Sequence, residues 1–203
     1  MLDDVILDVG AAIGITIARA YTHFPNSKIY GFEPGKRSFG ALIDNVGSHP
    51  NVELLHVAVD EDETPRTFHE SRNPSCSSLL PFADDKTKWK VDYRGHSQFD
   101  IIDSYTVPCT RLDNFLKINN INTVKHLKVD AQGADLRVIK SLGNRLKDVE
   151  TILAEARLTD FHLYEGDCHK DELVQYMKDN GFSIAGSEKQ TYDQEENILF
   201  KRN

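Results

Sequence analysis

The feature that most constrains this chain is a strand that runs into two glycines and then into a helix. An apolar run, Val5–Val9, leads to Gly10 and Gly14, and a helical pattern covers residues 16–21. Glycine has no Cβ, so the backbone at Gly10 can turn sharply and lie close to a ligand. The helix N-terminus adds unpaired N–H groups and a positive dipole end. The segment predicts a strand, a tight turn and a helix that face a bound molecule, although an ordinary strand-to-helix turn would show the same glycines.

The turn also carries an acidic residue, Asp8, at the end of the strand. A dinucleotide-binding turn has the pattern Gly-x-Gly-x-x-Gly and receives a pyrophosphate at its helix. This chain has Asp-x-Gly-x-x-x-Gly instead, and a carboxylate at the turn favours a cationic ligand over a pyrophosphate. S-adenosylmethionine has an ammonium group, a sulfonium centre and no phosphate, so it suits this turn better than a dinucleotide does.

Length and composition indicate one soluble globular domain. The 203 residues are 39% hydrophobic and 28% charged, which suits a folded domain with a large core. The net charge of −8 argues against a general binder of nucleic acid or of membrane surfaces. The sequence contains no apolar run long enough to span a bilayer and no signal pattern at its N-terminus.

The cysteines and the start of the chain each support one further prediction. Cys76, Cys109 and Cys168 are an odd set without a close pair, which fits reduced thiols in the cytoplasm better than a disulfide framework. The first predicted strand begins within a few residues of Met1, whereas a domain of this kind often has a helix before it. Either an N-terminal piece is absent from this sequence or the fold does without it.

Strand and helix patterns alternate along most of the chain. Further strands are predicted at residues 28–33, 51–59, 126–130, 150–155, 182–185 and 197–201, and helices at 38–45, 134–146 and 171–180. Strands separated by helices predict parallel pairing with crossover connections. The last two strands are close enough in sequence to form a hairpin.

Residues 64–123 interrupt this alternation, because they contain no long helical pattern. Residues 66–70 and 99–107 resemble strands, residues 71–78 form a polar loop, and residues 111–118 form a short helix with Thr110 as its cap. The segment is too long for a simple connection. We therefore predict a single domain over residues 1–203, with an insertion at about 64–123 that lies over the carboxyl ends of the strands.

Acidic residues stand at the ends of five successive predicted strands. They are Asp8, Glu33, Asp60, Asp130 and Glu155. Open parallel sheets bind their ligands at the carboxyl ends of the strands. Glu33 lies about 20 residues beyond the glycine turn, where an acid can bind both hydroxyls of a ribose. Acids also favour loop starts and helix N-termini, but five in succession favour a binding site.

Short motifs occur in a fixed order along nearly the whole chain, from residue 5 to about residue 201. They are Asp8-Val-Gly-Ala-Ala-Ile-Gly14, Phe32-Glu33-Pro34, Val57-Ala58-Val59, Ser77-Ser78-Leu79, Thr110-Arg-Leu-Asp113 and Leu127-Lys-Val-Asp-Ala-Gln-Gly-Ala134. This set resembles the FkbM family of S-adenosylmethionine-dependent methyltransferases. The resemblance implies the class I methyltransferase fold, an α/β, Rossmann-like three-layer sandwich. Its seven-stranded sheet is mostly parallel with an antiparallel last strand, and here it would carry an inserted β-rich segment.

The resemblance also implies an activity, namely methyl transfer to a hydroxyl oxygen of a sugar or another natural product. Two departures leave other functions open. Ala12 stands where the family usually has Asn, and residues 131–135 are Ala-Gln-Gly-Ala-Asp where the family usually has Val-Glu-Gly-Ala-Glu. A non-catalytic module that binds S-adenosylmethionine is therefore a second hypothesis. A nicotinamide oxidoreductase is a third, since NAD would also use an acid at Glu33.

The predicted cofactor-binding residues are Asp8, Val9, Gly10, Ala11, Gly14, Ile15, Glu33, Pro34, Ala58, Val59, Asp60 and Ser78. We expect Asp8 and the Gly10 backbone at the methionine end of S-adenosylmethionine and Glu33 at its ribose. Ala58, Val59 and Asp60 are expected to flank the adenine.

The predicted catalytic residues are Asp130, Glu155 and His162. Neighbouring strand ends would bring Asp130 and Glu155 together, and two close carboxylates raise the pKa of one of them. We expect Asp130 to position the acceptor, Glu155 to accept its proton and His162 to act as the substitute base. Alternatively, Asp130 caps the helix that starts near Ala134, and His162 is a solvated loop residue.

The expected partner is a small-molecule hydroxyl acceptor, with no nucleic acid and no membrane. Asp130 and Glu155 could hold magnesium together with substrate oxygens, but we predict that no metal is bound. The sequence leaves the oligomeric state open.

Overall fold

A seven-stranded sheet organises the fold in the computed structural model, which describes residues 4–203. The strands are β1 (Asp4–Val9), β2 (Ser27–Phe32), β3 (Val52–Leu55), β4 (Ala58–Val59), β5 (Arg66–Ser71), β6 (Ile101–Val107), β7 (Cys109–Thr110), β8 (Val124–Val129), β9 (Val149–Arg157), β10 (Phe182–Gln190) and β11 (Glu195–Arg202). The helices are α1 (Ile15–His23), α2 (Lys36–Val46), α3 (Leu112–Ile118), α4 (Asp135–Lys140) and α5 (Lys170–Asp179).

The strands of the main sheet follow the order β10-β11-β9-β8-β1-β2-β3. β1 lies between β2 and β8 and is parallel to both, so that Asp8 stands opposite Gly31 on one side and Lys128 on the other. β11 is antiparallel to β9 and to β10. The predicted seven-stranded sheet with an antiparallel last strand is confirmed. The strand order reverses at β1, and such a switch point opens a crevice at the carboxyl ends of the strands.

Apolar side chains cover both faces of the sheet and make it the middle of three layers. β1 shows this best, because its side chains alternate between the faces. Ile6 packs with Ile17 of α1 and Leu42 of α2, whereas Leu7 belongs to the larger cluster on the other face. That cluster also contains Ile139 of α4 and residues of α3 and α5. A central strand buried on both faces explains the nearly continuous apolar run at the start of the chain.

The prediction of one strand over residues 51–59 was wrong. The structure divides this segment into β3, which pairs with β2, and β4, which pairs with β7 in a separate two-stranded sheet. Between them, the His56 ring nitrogen Nε2 lies 3.1 Å from the carbonyl oxygen of Pro34. The chain leaves the main sheet at His56, and β4 pairs with β7 instead of with β2.

Two helix predictions were wrong at one end. The helix predicted to reach residue 146 stops at Lys140, and a 3₁₀ segment, Gly143–Asp148, follows. Gly143 has φ of 48°, a left-handed conformation that cannot continue a right-handed helix. Thr110 does not cap α3, since it ends β7 and Arg111 occupies the N-cap position without a side-chain cap bond. The Leu112 N–H at the start of α3 donates instead to Ser141 Oγ at 3.1 Å.

The segment predicted as an insertion contains the β5–β6 hairpin, β7, α3 and three short 3₁₀ segments. Its side chains contact two other parts of the fold. The Ser78 hydroxyl donates to the Gln132 carbonyl at 2.7 Å. The Lys36 N–H of α2 donates to the Tyr105 hydroxyl at 2.8 Å. These contacts join the segment to the turn after β8 and to the start of α2. Its description as an insertion within a single domain stays a prediction.

Within the described residues, none of the helices combines the length and the apolar character that crossing a membrane requires.

Candidate functional site

A cavity of about 690 Å³, counted with the space at its open mouth, lies at the carboxyl ends of β1, β2, β4 and β8. We call it the first cavity. Eight of the predicted site residues line it, namely Val9, Gly10, Glu33, Pro34, Ala58, Val59, Ser78 and Asp130. Ala12 and Gln132, the two departures from the family pattern, line it as well. The structure thus brings residues from four strand ends to one concave surface.

Gly10 forms the tight turn at the base of the first cavity. Its φ is +74°, and a Cβ at this position would lie 1.9 Å from the backbone oxygen of Asp130. The N–H groups of Gly10 and Ala11 both donate to the Phe32 carbonyl at 3.0 Å. The turn after β1 therefore passes directly against the turn after β8, and only glycine fits between them.

Glu33 directs a buried carboxylate into the first cavity. One oxygen accepts the Gly35 N–H at 2.7 Å and the other accepts the Ala12 N–H at 2.9 Å. Burial raises the pKa of this carboxyl to about 7, even though both hydrogen bonds favour the ionised form. A carboxylate offers about four acceptor positions, so Glu33 can still accept hydrogen bonds from a ligand hydroxyl.

A buried lysine, Lys128, joins the turn after β1 to the turn after β8. Its ammonium donates to the Gly10 carbonyl at 3.0 Å and lies 3.3 Å from Asp8 and 3.4 Å from Asp130. Burial lowers the pKa of Lys128, but the carboxylates of Asp130 and Asp8 outweigh burial and raise it. Burial raises the pKa of Asp8 to about 6, with Lys128 opposing the shift. Asp8 is 1% exposed and lies beneath the lining of the first cavity, where its carboxylate faces Lys128.

The turn after β8 places an amide between two predicted catalytic carboxylates. The Gln132 Nε2 donates to Asp130 Oδ1 at 2.7 Å and lies 3.5 Å from Glu155 Oε2. The Gln132 Oε1 accepts the Tyr164 hydroxyl at 2.9 Å. Asp130 therefore does not cap α4. Ala134 is the N-cap of α4, without a side-chain cap bond. Asp135 instead accepts the N–H groups of Ala131 in the turn after β8 and of Glu155 on β9.

A second cavity of about 870 Å³, also counted with open space, adjoins the first. Ser75 and Gln132 line both cavities. The second cavity is bounded by the 3₁₀ segments of residues 74–99, by Glu155 on β9 and by the tip of the β10–β11 hairpin. Asp130 faces the first cavity and Glu155 the second, so Gln132 marks the junction between them.

Two glutamates from neighbouring strands line the second cavity, Glu155 of β9 and Glu195 of β11. Burial raises the pKa of Glu155 well above its usual range, and the charges of Glu195 and Asp130 raise it further. Burial also raises the pKa of Glu195 to about 7. Glu195 is therefore suited to exchange a proton near neutral pH, and the ionised form of Glu155 is a stronger base than an ordinary carboxylate.

Asp60 is placed differently from the prediction. Its carboxylate is fully buried and accepts from the Arg137 guanidinium at 2.8 and 2.6 Å, while Arg66 Nε lies 3.0 Å away. It does not line the first cavity. These two arginines already surround its oxygens, so a contact between Asp60 and a ligand stays a prediction.

His162 lines neither cavity. Its Nδ1 lies 2.6 Å from Asp167 Oδ1, and the same oxygen accepts Arg157 Nε at 2.9 Å. The imidazole therefore belongs to a pairing network within the loop after β9. Its role as substitute base stays a prediction, and the structure places His162 outside the lining of both cavities.

Three further predicted residues, Ala11, Gly14 and Ile15, do not line the first cavity. Gly14 is the N-cap of α1 with φ of 90°, and a Cβ there would lie 2.9 Å from the Leu42 side chain. Gly14 thus allows α1 and α2 to approach each other, and its contact with a ligand stays a prediction.

Sequence reasoning missed Lys128 and Glu195. Lys128 precedes Asp130 by two positions on a strand, so the two side chains lie on one face, and that spacing is a signal that could have identified the pair. Glu195 had no comparable signal, because the tip of a hairpin approaches the site only in three dimensions. Within residues 4–203, His, Cys, Asp and Glu side chains form no group of three or more arranged to hold a metal ion.

Comparison with known proteins shows which family the sequence matches. The pattern of the methyltransferase FkbM domain matches residues 8–184. Methyltransferase 1 of Beauveria bassiana is 27% identical over 163 residues, which cover 75% of this chain and 64% of that protein. The hexuronic acid methyltransferase AglP of Haloferax volcanii is 25% identical over 154 residues, which cover 75% of this chain and 56% of that protein. The chain thus spans less than two thirds of the length of these relatives.

Solved structures show the same fold at low sequence identity. The TrmK protein of M. capricolum, solved with S-adenosylhomocysteine, has a TM-score of 0.54 at 9% identity and covers 98% of this chain and 62% of its own. Fibrillarin of Aeropyrum pernix, solved with S-adenosylmethionine, has a TM-score of 0.54 at 14% identity and covers 97% of this chain and 66% of its own. At such identities the likeness establishes the class I methyltransferase fold alone.

Proposed function

Because the chain belongs to the methyltransferase FkbM domain family, we propose that it transfers a methyl group from S-adenosylmethionine to a hydroxyl oxygen of a sugar or another small-molecule acceptor. The observation that carries this proposal is the junction at Gln132. This side chain lines both cavities and lies within 3.5 Å of both Asp130 and Glu155. One cavity would hold the methyl donor and the other the acceptor.

The first cavity suits S-adenosylmethionine on two independent grounds. The Glu33 carboxylate keeps free acceptor positions and can bind the two ribose hydroxyls. The Gly10 turn lines the floor of the cavity with backbone and no side chain. We assign Pro34, Ala58 and Val59 to the surroundings of the adenine and the Gly10 turn to the methionine end. Asp8 and Lys128 would support that turn from beneath.

The chemistry follows from the position of the carboxylates. When bound, S-adenosylmethionine supplies a methyl group on a sulfonium centre, whose C–S bond breaks as the new C–O bond forms. The residues at the junction hold the acceptor oxygen in line with that methyl at near-attack distance. Glu155 accepts the acceptor's hydroxyl proton, and Asp130 orients the hydroxyl. Gln132 keeps both carboxylates in place through its amide.

The relative AglP is named as a hexuronic acid methyltransferase, and this supports a sugar acceptor for the present chain. The net charge of −8 weighs against nucleic acid as the acceptor, because a polyanion would be repelled. Cys76, Cys109 and Cys168 are all free thiols, which supports a reducing, cytoplasmic location.

Calorimetry and a methyl-transfer assay together test the proposal. We expect S-adenosylhomocysteine to bind saturably and NAD not to bind, and we expect turnover with at least one hydroxylated acceptor from a panel of sugars, phenols and RNA. Binding of NAD alone would identify a nicotinamide enzyme. Binding of S-adenosylhomocysteine without turnover on any acceptor would support a non-catalytic binding module. Methylation confined to RNA would refute the small-molecule acceptor.

A further inference from the structure

The second cavity has a lining that suits a ring with several hydroxyl groups. Seven planar polar side chains line it, those of Asn73, Asp92, Arg94, Gln98, Gln132, Glu155 and Glu195. A buried polar group that a ligand leaves unpaired weakens binding, because that group loses water and gains nothing. The Gln132 amide is already bonded within the protein and Asn73 donates to Gln98, but the carboxylates of Glu155 and Glu195 keep free acceptor positions. A ligand with a single hydroxyl would leave most of those positions unpaired. A polyhydroxylated ring would pair several of them at once.

An aromatic side chain stands at the edge of the same cavity in a strained turn. Thr191, Tyr192 and Asp193 connect β10 to β11 with φ of 47°, 59° and 63°. Three successive residues other than glycine in the left-handed region are unfavourable, and such strain persists where the surroundings enforce it. Tyr192 is 57% exposed and lines the second cavity. The strained turn therefore places an aromatic ring at the edge of the second cavity.

Gln194 is the residue that enforces this turn. It is 3% exposed, and its amide accepts the Lys90 N–H at 2.7 Å and donates to the Lys90 carbonyl at 3.1 Å. The same amide donates to the Thr191 carbonyl at 2.9 Å. The Gln194 side chain thus fastens the tip of the hairpin to the segment that forms the opposite wall of the cavity. Tyr192 is held in a fixed place relative to Trp89, the neighbour of Lys90.

We propose that the second cavity binds a pyranose ring and that Tyr192 is the residue that selects it, by packing its aromatic face against the C–H face of the sugar. This inference rests on the proposed function, since it names the class of acceptor for the same site. The polar side chains would bind the hydroxyl groups along the edge of the sugar. Tyr192 would exclude acceptors that lack a flat apolar face.

Trp89 provides a direct readout of this cavity. It is the single tryptophan of the chain and lines the second cavity, so its fluorescence reports occupancy without any need for turnover. The probes are a methyl glucopyranoside, a methyl glucuronopyranoside and cyclohexanol, which has the same ring size and one hydroxyl. We expect a saturable change in Trp89 fluorescence with at least one glycoside and a much weaker response to cyclohexanol.

Variants at two tyrosines test the role of the ring. Tyr192→Ala should raise the dissociation constant of the glycoside about tenfold, the loss expected for about two CH₂-sized contacts. Tyr192→Phe keeps the ring and should bind nearly as the parent does. Tyr93→Ala is the matched control, because Tyr93 is 96% exposed and does not line the second cavity.

Two outcomes would overturn the inference. One is the absence of a saturable glycoside response in the parent protein, or a response to cyclohexanol that is equally strong. The other is a Tyr192→Ala variant that binds the glycoside as tightly as the Tyr93→Ala control. Calorimetry with S-adenosylhomocysteine on the same samples separates these outcomes from failure of the proposed function, because that binding depends on the first cavity alone.

Discussion

The two cavities meet at Gln132 but are built from different parts of the chain. The first is formed mostly by strand ends and backbone turns, with Gly10 and Glu33 placed by short motifs close to β1 and β2, and residues 68–79 complete its wall. The second is assembled from loops that are far apart in sequence, such as Lys90 and Gln194, which are 104 residues apart. A cavity made of backbone and strand ends suits a ligand common to a whole fold. One made of loop side chains suits a ligand particular to one chain.

This difference predicts that variants in the two cavities change two different quantities, turnover and the affinity for S-adenosylhomocysteine. A change at the second cavity should lower turnover and leave the affinity for S-adenosylhomocysteine unchanged. A change at the first should weaken that affinity directly. A variant that moves both quantities equally would contradict the division and would indicate one continuous site.

The largest effect is expected at the second cavity, from Glu155→Gln. The variant removes the proposed proton acceptor but keeps the size of the side chain, so turnover should fall roughly 10²–10⁴-fold. Asp130→Asn should cause a loss in the same range through misplacement of the acceptor. Asp130 lines the first cavity, but it is an exception to the division because its proposed contact is with the acceptor and not with the cofactor. The measurement is methyl transfer to the true acceptor, together with calorimetry to show that the affinity for S-adenosylhomocysteine is retained.

The pH dependence sharpens the same prediction. The pKa of Glu155 is raised by burial and by the charges of Glu195 and Asp130, and only the ionised form can accept a proton. Turnover of the parent should therefore rise with pH, and Glu155→Gln should lose that rise. Glu150→Gln is the matched control, because Glu150 lies on the same strand, pairs with Lys125 and is half exposed. Parent-like turnover in Glu155→Gln would remove Glu155 from the mechanism.

The next largest effect is expected in the first cavity, where Glu33→Gln should weaken the binding of S-adenosylhomocysteine. The amide cannot accept at both positions where Ala12 and Gly35 now donate, and it offers a ligand hydroxyl a weaker acceptor. Hydrogen bonds to charged groups contribute about 1.5–3 kcal/mol, so the dissociation constant of S-adenosylhomocysteine should rise about 10- to 150-fold. Calorimetry measures it, with Glu53→Gln on β3 as the exposed control. An unchanged affinity would exclude Glu33 from the ribose site.

The sequence was sufficient for the parts of the site that depend on local structure. Strand ends, the glycine turn and Glu33 follow from patterns within a few tens of residues, and the structure places them around one cavity. Asp60 shows where such reasoning stops. It follows a strand like the other acids, but Arg137, which lies 77 residues further along the chain, binds it. Pairing at that distance leaves no local signal.

The second cavity was less predictable for the same physical reason. Glu155 was identified because it lies on a parallel strand, whereas Glu195 and Tyr192 belong to a hairpin tip whose position depends on the Gln194 contact with Lys90. The Gln132 departure suggested a loss of function from sequence alone. In the structure its amide lies between two carboxylates, where a third carboxylate could donate no hydrogen bond.

The smallest expected effect is a pH dependence of the free energy of unfolding, caused by Glu33 in the first cavity. Burial raises the pKa of Glu33 from 4.5 to about 7. Between these values the folded protein binds a proton that the unfolded chain has released, so the free energy of unfolding falls as pH rises through this window. One such group contributes at most about 1.4 kcal/mol per pH unit.

Urea unfolding of the ligand-free protein at several pH values between about 4.5 and 7 measures this slope. Asp8 and Asp135 have pKa values raised by burial to about 6 and about 7, so they add slopes of the same sign. Glu33→Gln should remove only the share due to Glu33, and Glu53→Gln should remove none. A slope that is the same in Glu33→Gln as in the parent would mean that Glu33 is ionised in the folded protein throughout this range. The cavity would then present a permanent charge to the ribose instead of a carboxyl that titrates near neutral pH.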